Sequence, residues 1–191
     1  MLLNPTTMLF SALSLFLAML QSNTLQSDFT MTVSLAQSQP MTYSGSLLMK
    51  GERFRLEMLS MEAAYDGKTL YLYQAETDEL TLSVPEKSEL NEINPFRMVQ
   101  QVLPLCNTSE RKQKEGKETL ITFTPKDGEK VPFRSASLCL RTDDLMPLSL
   151  EMREQKQTSL LRFTNPVRLE KDVPLSRFSL SHPETYLNDL R

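Results

Sequence analysis

Cys106, Cys139 and His182 are the only two thiols and the only imidazole in a chain of 191 residues, so nucleophilic and metal chemistry is confined to what these three can do. A structural zinc site needs about four ligands at short spacings. Two cysteines 33 positions apart and one distant histidine do not supply them. In an exported protein Cys106 and Cys139 can form one disulfide; two unpaired buried thiols are the other reading, and geometry decides between them. His182 precedes Pro183 with no acidic or nucleophilic partner beside it, which suits a surface histidine. The chain has no Gly-x-Ser-x-Gly elbow, no His-Glu-x-x-His pair and no phosphate-cradling glycine loop. The adjacent acids Asp143 and Asp144 fall in a turn, where a solvated cap is expected. The expectation is a protein that is not an enzyme and carries no metal or cofactor.

Composition excludes further classes. A net charge of −3 and a pI near 5.3 do not make the clustered cationic surface that a nucleic acid requires. The richest basic run, Arg111 to Lys117, is broken by Gln113 and Glu115 and reads as a solvated loop or hairpin tip. No window reaches the roughly 18 apolar residues of a spanning helix, so an integral membrane protein is not expected. There are 11 methionines and no tryptophan. Methionine is unbranched and polarizable, and it suits apolar surfaces that must adapt to their partner as well as irregular gaps in a core.

What the chain does contain is apolar alternation. Phe29, Met31, Val33 and Leu35 alternate with small polar residues, as in a half-buried strand. Tyr43, Gly45, Leu47 and Met49 form a second set, and Lys50-Gly51-Glu52 turns into a third, Phe54, Leu56 and Met58. A short strand at Ala63 to Tyr65 meets the turn signal Asp66-Gly67 and then Thr69 to Tyr73. Leu80, Leu82 and Val84 follow a charged turn.

From Pro85 the period lengthens. Glu86 to Glu92 reads as a helical turn or ordered loop, and Asn94-Pro95 as an N-cap with proline in the first turn, opening a helix through Phe96, Val99 and Leu103. Pro104 stops it. Further strands are expected at Thr119 to Thr124, Arg134 to Arg141, Pro147 to Arg153, Thr158 to Thr164 and near Phe178, with Tyr186-Leu187 packing down at the tail. Met8 to Leu20 has the length of a secretory h-region, but no Lys or Arg precedes it and no small-x-small site follows. Asn4-Pro5 is a helix start instead, and a buried helix over residues 5–21 is favoured, which would place any export signal outside this chain.

These pieces predict a single domain over residues 1–191: a first meander at 28–84, a helical insert at 86–104 and a second meander at 118–180. The fold class is mainly β, a strongly curved antiparallel sheet of about ten strands forming an incomplete β-barrel, lidded by short α-helices. Phe29, Met31, Leu47, Met49, Phe54, Leu56, Met58, Phe96 and Val99 are the candidate walls of an apolar cavity.

The order of elements resembles the LolA family, the soluble periplasmic carriers of outer-membrane lipoproteins. An apolar helix leads into Ser27-Asp-Phe-Thr-Met-Thr-Val33, followed by Gly45-x-Leu-x-Met-Lys50, Phe54-x-Leu56, Asp66-Gly-Lys-Thr-Leu-Tyr-Leu-Tyr73 and Asn94-Pro-Phe96. The resemblance covers most of residues 5–104. It implies an unclosed barrel with a helical lid, acyl chains of lipoproteins or a related lipid in the interior, and cavity-facing positions at Phe54 and Leu56. It also implies an inner-membrane release complex, an outer-membrane acceptor, a periplasmic location and a monomer. One departure stands out: family members carry an Arg after the Lys of the Gly45–Lys50 strand that hydrogen-bonds to the lid, and this chain has Gly51 there. A LolA-like module that senses lipid and regulates a membrane partner is the alternative.

Overall fold

Alternation of apolar and small polar side chains gives each strand one face to bury, and in the computed structural model these strands join into one twelve-stranded sheet. The structure describes residues 11–169 and 172–191. The Asn4-Pro5 helix start therefore lies outside the described residues.

Helix α1 (Ala12–Ser22) begins at Ser11, whose hydroxyl accepts from the Ser14 N–H. It buries Leu13, Phe16, Met19 and Leu20 along one stripe. Strands β1 (Thr24–Leu35), β2 (Met41–Lys50), β3 (Arg53–Met58), β4 (Met61–Tyr65), β5 (Leu70–Gln74) and β6 (Glu79–Ser83) form a consecutive meander. Helices α2 (Lys87–Ile93) and α3 (Pro95–Val102) follow, and a 3-10 turn at Leu103–Leu105 holds Pro104. The second meander is β7 (Cys106–Gln113), β8 (Glu118–Pro125), β9 (Ser135–Arg141), β10 (Pro147–Arg153) and β11 (Gln157–Leu169). After a 3-10 turn at Leu175–Phe178 comes β12 (Tyr186–Asp189).

The spatial order is β12-β6-β5-β4-β3-β2-β1-β11-β10-β9-β8-β7. Every pairing is antiparallel except β12 with β6, which is parallel. The two meanders meet in a central seam, where β1 runs beside β11 from Thr24 opposite Leu169 to Leu35 opposite Gln157. The sheet does not close on itself. It is an incomplete barrel with short helices over its concave face.

The structure adds to the predicted elements and corrects one of them. β7 is an addition: of the basic run expected as a solvated loop or hairpin tip, Arg111 to Gln113 finish the strand, and Lys114 to Lys117 form the hairpin tip that leads into β8. That turn holds Lys114, Glu115 and Gly116 at positive φ. β7 is the free edge of the sheet, with its central residues exposed on both faces and no apolar alternation to betray it. The segment near Phe178 is a 3-10 turn behind Pro174, not a strand, and it buries Phe178 completely. Strand β12, where the tail was expected to pack down, covers the β6 edge with Tyr186 and Leu187 largely exposed.

The outer face of β4–β6 is covered as well. Leu180 packs there on Ala64, Leu80 and Leu82, flanked by Tyr71 and Tyr73. The same segment brings His182 down from the expected surface position: its ring stacks on Tyr73 at 3.7 Å, and Nε2 lies 3.5 Å from Glu62.

Candidate functional site

The concave side chains form rows across the strands. Leu47 stands opposite Leu56, Leu56 opposite Ala63, and Ala63 opposite Leu72. Phe29 stands opposite Phe163 on one side and Gly45 on the other. On the second meander Ile121, Phe123, Ala136, Leu138 and Leu140 are buried and take no part in lining the open space. The concavity bounded by β1–β5, β10 and β11 is not filled. A cavity of about 640 Å³ remains, walled by Phe29, Met31, Leu47, Leu56, Met58, Ala63 and Leu72. Helices α2 and α3 contribute Ile93, Met98 and Val102, and the far side contributes Phe133, Leu150, Met152 and Leu161.

Of the side chains singled out from sequence, Phe29, Met31, Leu47, Leu56 and Met58 face this space. Met49, Phe54, Phe96 and Val99 do not: each is 1% exposed and packed at the closed end. There Phe96 makes an edge contact with Phe16 at 5.3 Å and a stacked one with Phe163 at 5.4 Å, while Phe54 lies 6.1 Å from Tyr65. Burial, and after it the Glu52 carboxylate, push the Tyr65 phenol up from its ordinary value. Met98, Met152 and Met61 also line the cavity and were not singled out. Met98 had a readable signal, since it follows Phe96 on a helix whose start was legible.

Sequence chemistry places the lid. Asn94 Oδ1 accepts from the N–H groups of Phe96 and Arg97, and its amide nitrogen donates to the Met49 sulfur at 3.3 Å. Pro95 occupies the first turn, where no N–H is missed. Arg97 reaches from α3 to the β2–β3 turn and pairs with Glu52 at 2.7 Å, while its Nε donates to Asn91 at 3.1 Å. The tie between turn and lid thus comes from the helix side, across from the position where Gly51 stands. Gly51 has φ +58 and donates its N–H to the Leu20 carbonyl at 2.7 Å, fastening the C-terminus of α1 to the same turn. At the other end of α1 the Glu110 carboxylate accepts from the Ala12 and Leu13 N–H groups, both at 3.1 Å. A carboxylate at a helix N-terminus satisfies orphan donors and complements the dipole.

The thiols take no part in this cavity's lining. Cys106 and Cys139 are both free and buried, so the disulfide left open by the sequence is not formed. β8 lies between their strands, with Cys106 opposite Pro125 and Cys139 opposite Leu120. Two strand spacings alone come to about 10 Å, beyond the ~7 Å over which two Cα atoms can be bridged. Burial raises the Cys106 pKa, and burial followed by the Glu118 carboxylate raises that of Cys139, so both stay protonated and weakly nucleophilic. Among the described residues no group of His, Cys, Asp and Glu is placed to hold a metal, and no helix is long and apolar enough to cross a membrane.

No family model matches the chain, and no curated protein matches it. Solved structures do. An uncharacterized conserved protein from Thermus thermophilus superposes with a TM-score of 0.61 at 13% identity, over 94% of this chain and 99% of that one. A chain of the Pseudomonas aeruginosa MucA/MucB complex gives 0.50 at 16% identity, over 89% of this chain and 60% of that one. A LolA superfamily protein from Nitrosomonas europaea gives 0.42 at 12% identity, over 90% and 98%. An unclosed antiparallel sheet with short helices over its concavity is what the resemblance implied. The fold is mainly β, an incomplete barrel with short helices over its concave face. At these identities the likeness is one of architecture, and the remaining chemistry must be read from the cavity itself.

Proposed function

We propose that this protein is a periplasmic carrier that takes the acyl chains of lipoproteins, or a related lipid, into its cavity and delivers them towards the outer membrane. The reading is carried by one observation: the incomplete barrel keeps about 640 Å³ of its apolar interior free of its own side chains. Each CH₂ withdrawn from water is worth about 0.8 kcal/mol, so a lipid tail crosses an aqueous compartment only under cover. Methionine walls accept tails of different shape without locking onto one, which suits binding that must be reversed. Release from an inner-membrane complex and delivery to an outer-membrane acceptor belong to this reading.

Mass spectrometry of the protein purified from its native periplasm tests it: acylated protein or lipid should accompany the chain, and material free of both overturns the carrier. Leu56→Asp should abolish loading while the fold persists, because the side chain faces open space. A second reading, a lipid-sensing module that regulates a membrane partner, is supported by the likeness to a chain found in the MucA/MucB complex. The two separate in a transfer assay, where a sensor binds lipid and does not pass it to an outer-membrane acceptor.

A further inference from the structure

We infer that the cavity holds one acyl chain at a time and that the lipid it suits is a single-chain zwitterion, a lysophospholipid. This rests on the lipid-binding reading above and narrows it. Volume decides the number of chains. An apolar cavity of about 150 Å³ encloses one benzene, six carbons. The cavity here, about 640 Å³, has on the order of four times that room, enough for roughly 25 carbons. One chain of about 16 carbons fits with slack, whereas the three chains of a fully acylated lipoprotein need about twice the space. The closed end is already occupied, with Phe96 packed edge-on against Phe16 and stacked on Phe163.

Charge at the mouth selects the head group. The exposed ionic side chains among the lining are Glu92 on α2, Lys130 in the β8–β9 loop and Glu154 in the β10–β11 turn. None of the three is ion-paired among the described residues. Two carboxylates against one ammonium repel a free fatty-acid carboxylate. A phosphate with an attached amine satisfies both signs, the phosphate at Lys130 and the amine at Glu92 or Glu154.

The experiment uses the full chain and three probes: palmitoyl-lysophosphatidylethanolamine, palmitate and a tripalmitoylated peptide, each followed by native mass spectrometry and calorimetry. One lysophospholipid per chain is expected, bound about tenfold more tightly than palmitate, with Glu92→Gln together with Glu154→Gln narrowing that gap. Tighter binding of the tripalmitoylated peptide, or two lysophospholipids per chain, overturns the single-chain assignment and leaves the carrier reading standing. Palmitate binding as tightly as the lysophospholipid overturns the head-group assignment. Failure of all three probes removes the lipid-binding reading itself. Ala63→Leu should shorten the preferred chain by two or more carbons and Leu56→Ala should lengthen it; an unchanged preference in both variants places the chain elsewhere and overturns the inference.

Discussion

Phe29 and Gly45 face each other across β1 and β2, and only glycine allows the arrangement. A Cβ at Gly45 would lie 2.2 Å from the Glu57 carbonyl oxygen and 2.6 Å from the Phe29 ring. The bare backbone lets the ring lie flat on the sheet and leaves room beside it. Gly45→Ala is therefore expected to cost about 1–3 kcal/mol in urea unfolding, as overpacked sites do, and to weaken binding of a fluorescent fatty-acid probe. Asp66 works differently. Burial pulls its pKa up, but the N–H groups of Thr69 and Lys68 and the Tyr71 hydroxyl outweigh this and hold it below 3.8. A carboxyl lowered on folding stabilises fully above its unfolded pKa, and that contribution fades as pH falls through the folded value. Asp66→Asn should thus lower Tm near pH 7, and the difference from the parent should shrink as both are acidified below the ordinary aspartate range.

At the scale of elements, the Arg97–Glu52 pair is the charged contact between lid helix and sheet turn. Glu52 is 64% exposed, so breaking the pair should change stability by less than about 1 kcal/mol. Arg97→Ala should instead speed amide exchange in α2 and α3 and accelerate both uptake and release of lipid; unchanged rates would show that the pair holds nothing shut. Much of this geometry was legible. The Asp66-Gly67 hairpin, the Asn94 cap and the strands through Leu47 and Leu56 follow from turn chemistry and period-two burial. Two things were not. β7 shows no alternation because, at the edge, neither face of Asn107 to Lys112 is buried. The depth of the cavity was hidden too: Phe54 and Leu56 share one strand face, yet one is packed at the closed end and the other lines open space. Periodicity reports the face of a residue and says nothing about its position along the barrel.

Across the whole molecule the C-terminal segment acts as a clasp on the outer surface of β3–β6. Phe178 is fully buried beneath it, Leu180 fills the patch above Ala64, and β12 takes up the β6 edge. Phe178→Ala should cost about 3–5 kcal/mol, the usual range for a buried phenylalanine, and proteolysis should then cut first within residues 172–191. The same segment shields an edge that would otherwise be free to pair with another chain.

The seam between β1 and β11 has a kinetic consequence. Its partners come from opposite ends of the sequence, Thr24 against Leu169, so the middle of the sheet joins only after both meanders have been drawn together. Topologies governed by such distant pairings fold on the order of milliseconds to seconds. In pulse-labelled refolding the hairpins β2–β3 and β8–β9 should become protected before β1 and β11, and the centre of the barrel should be the last part to set.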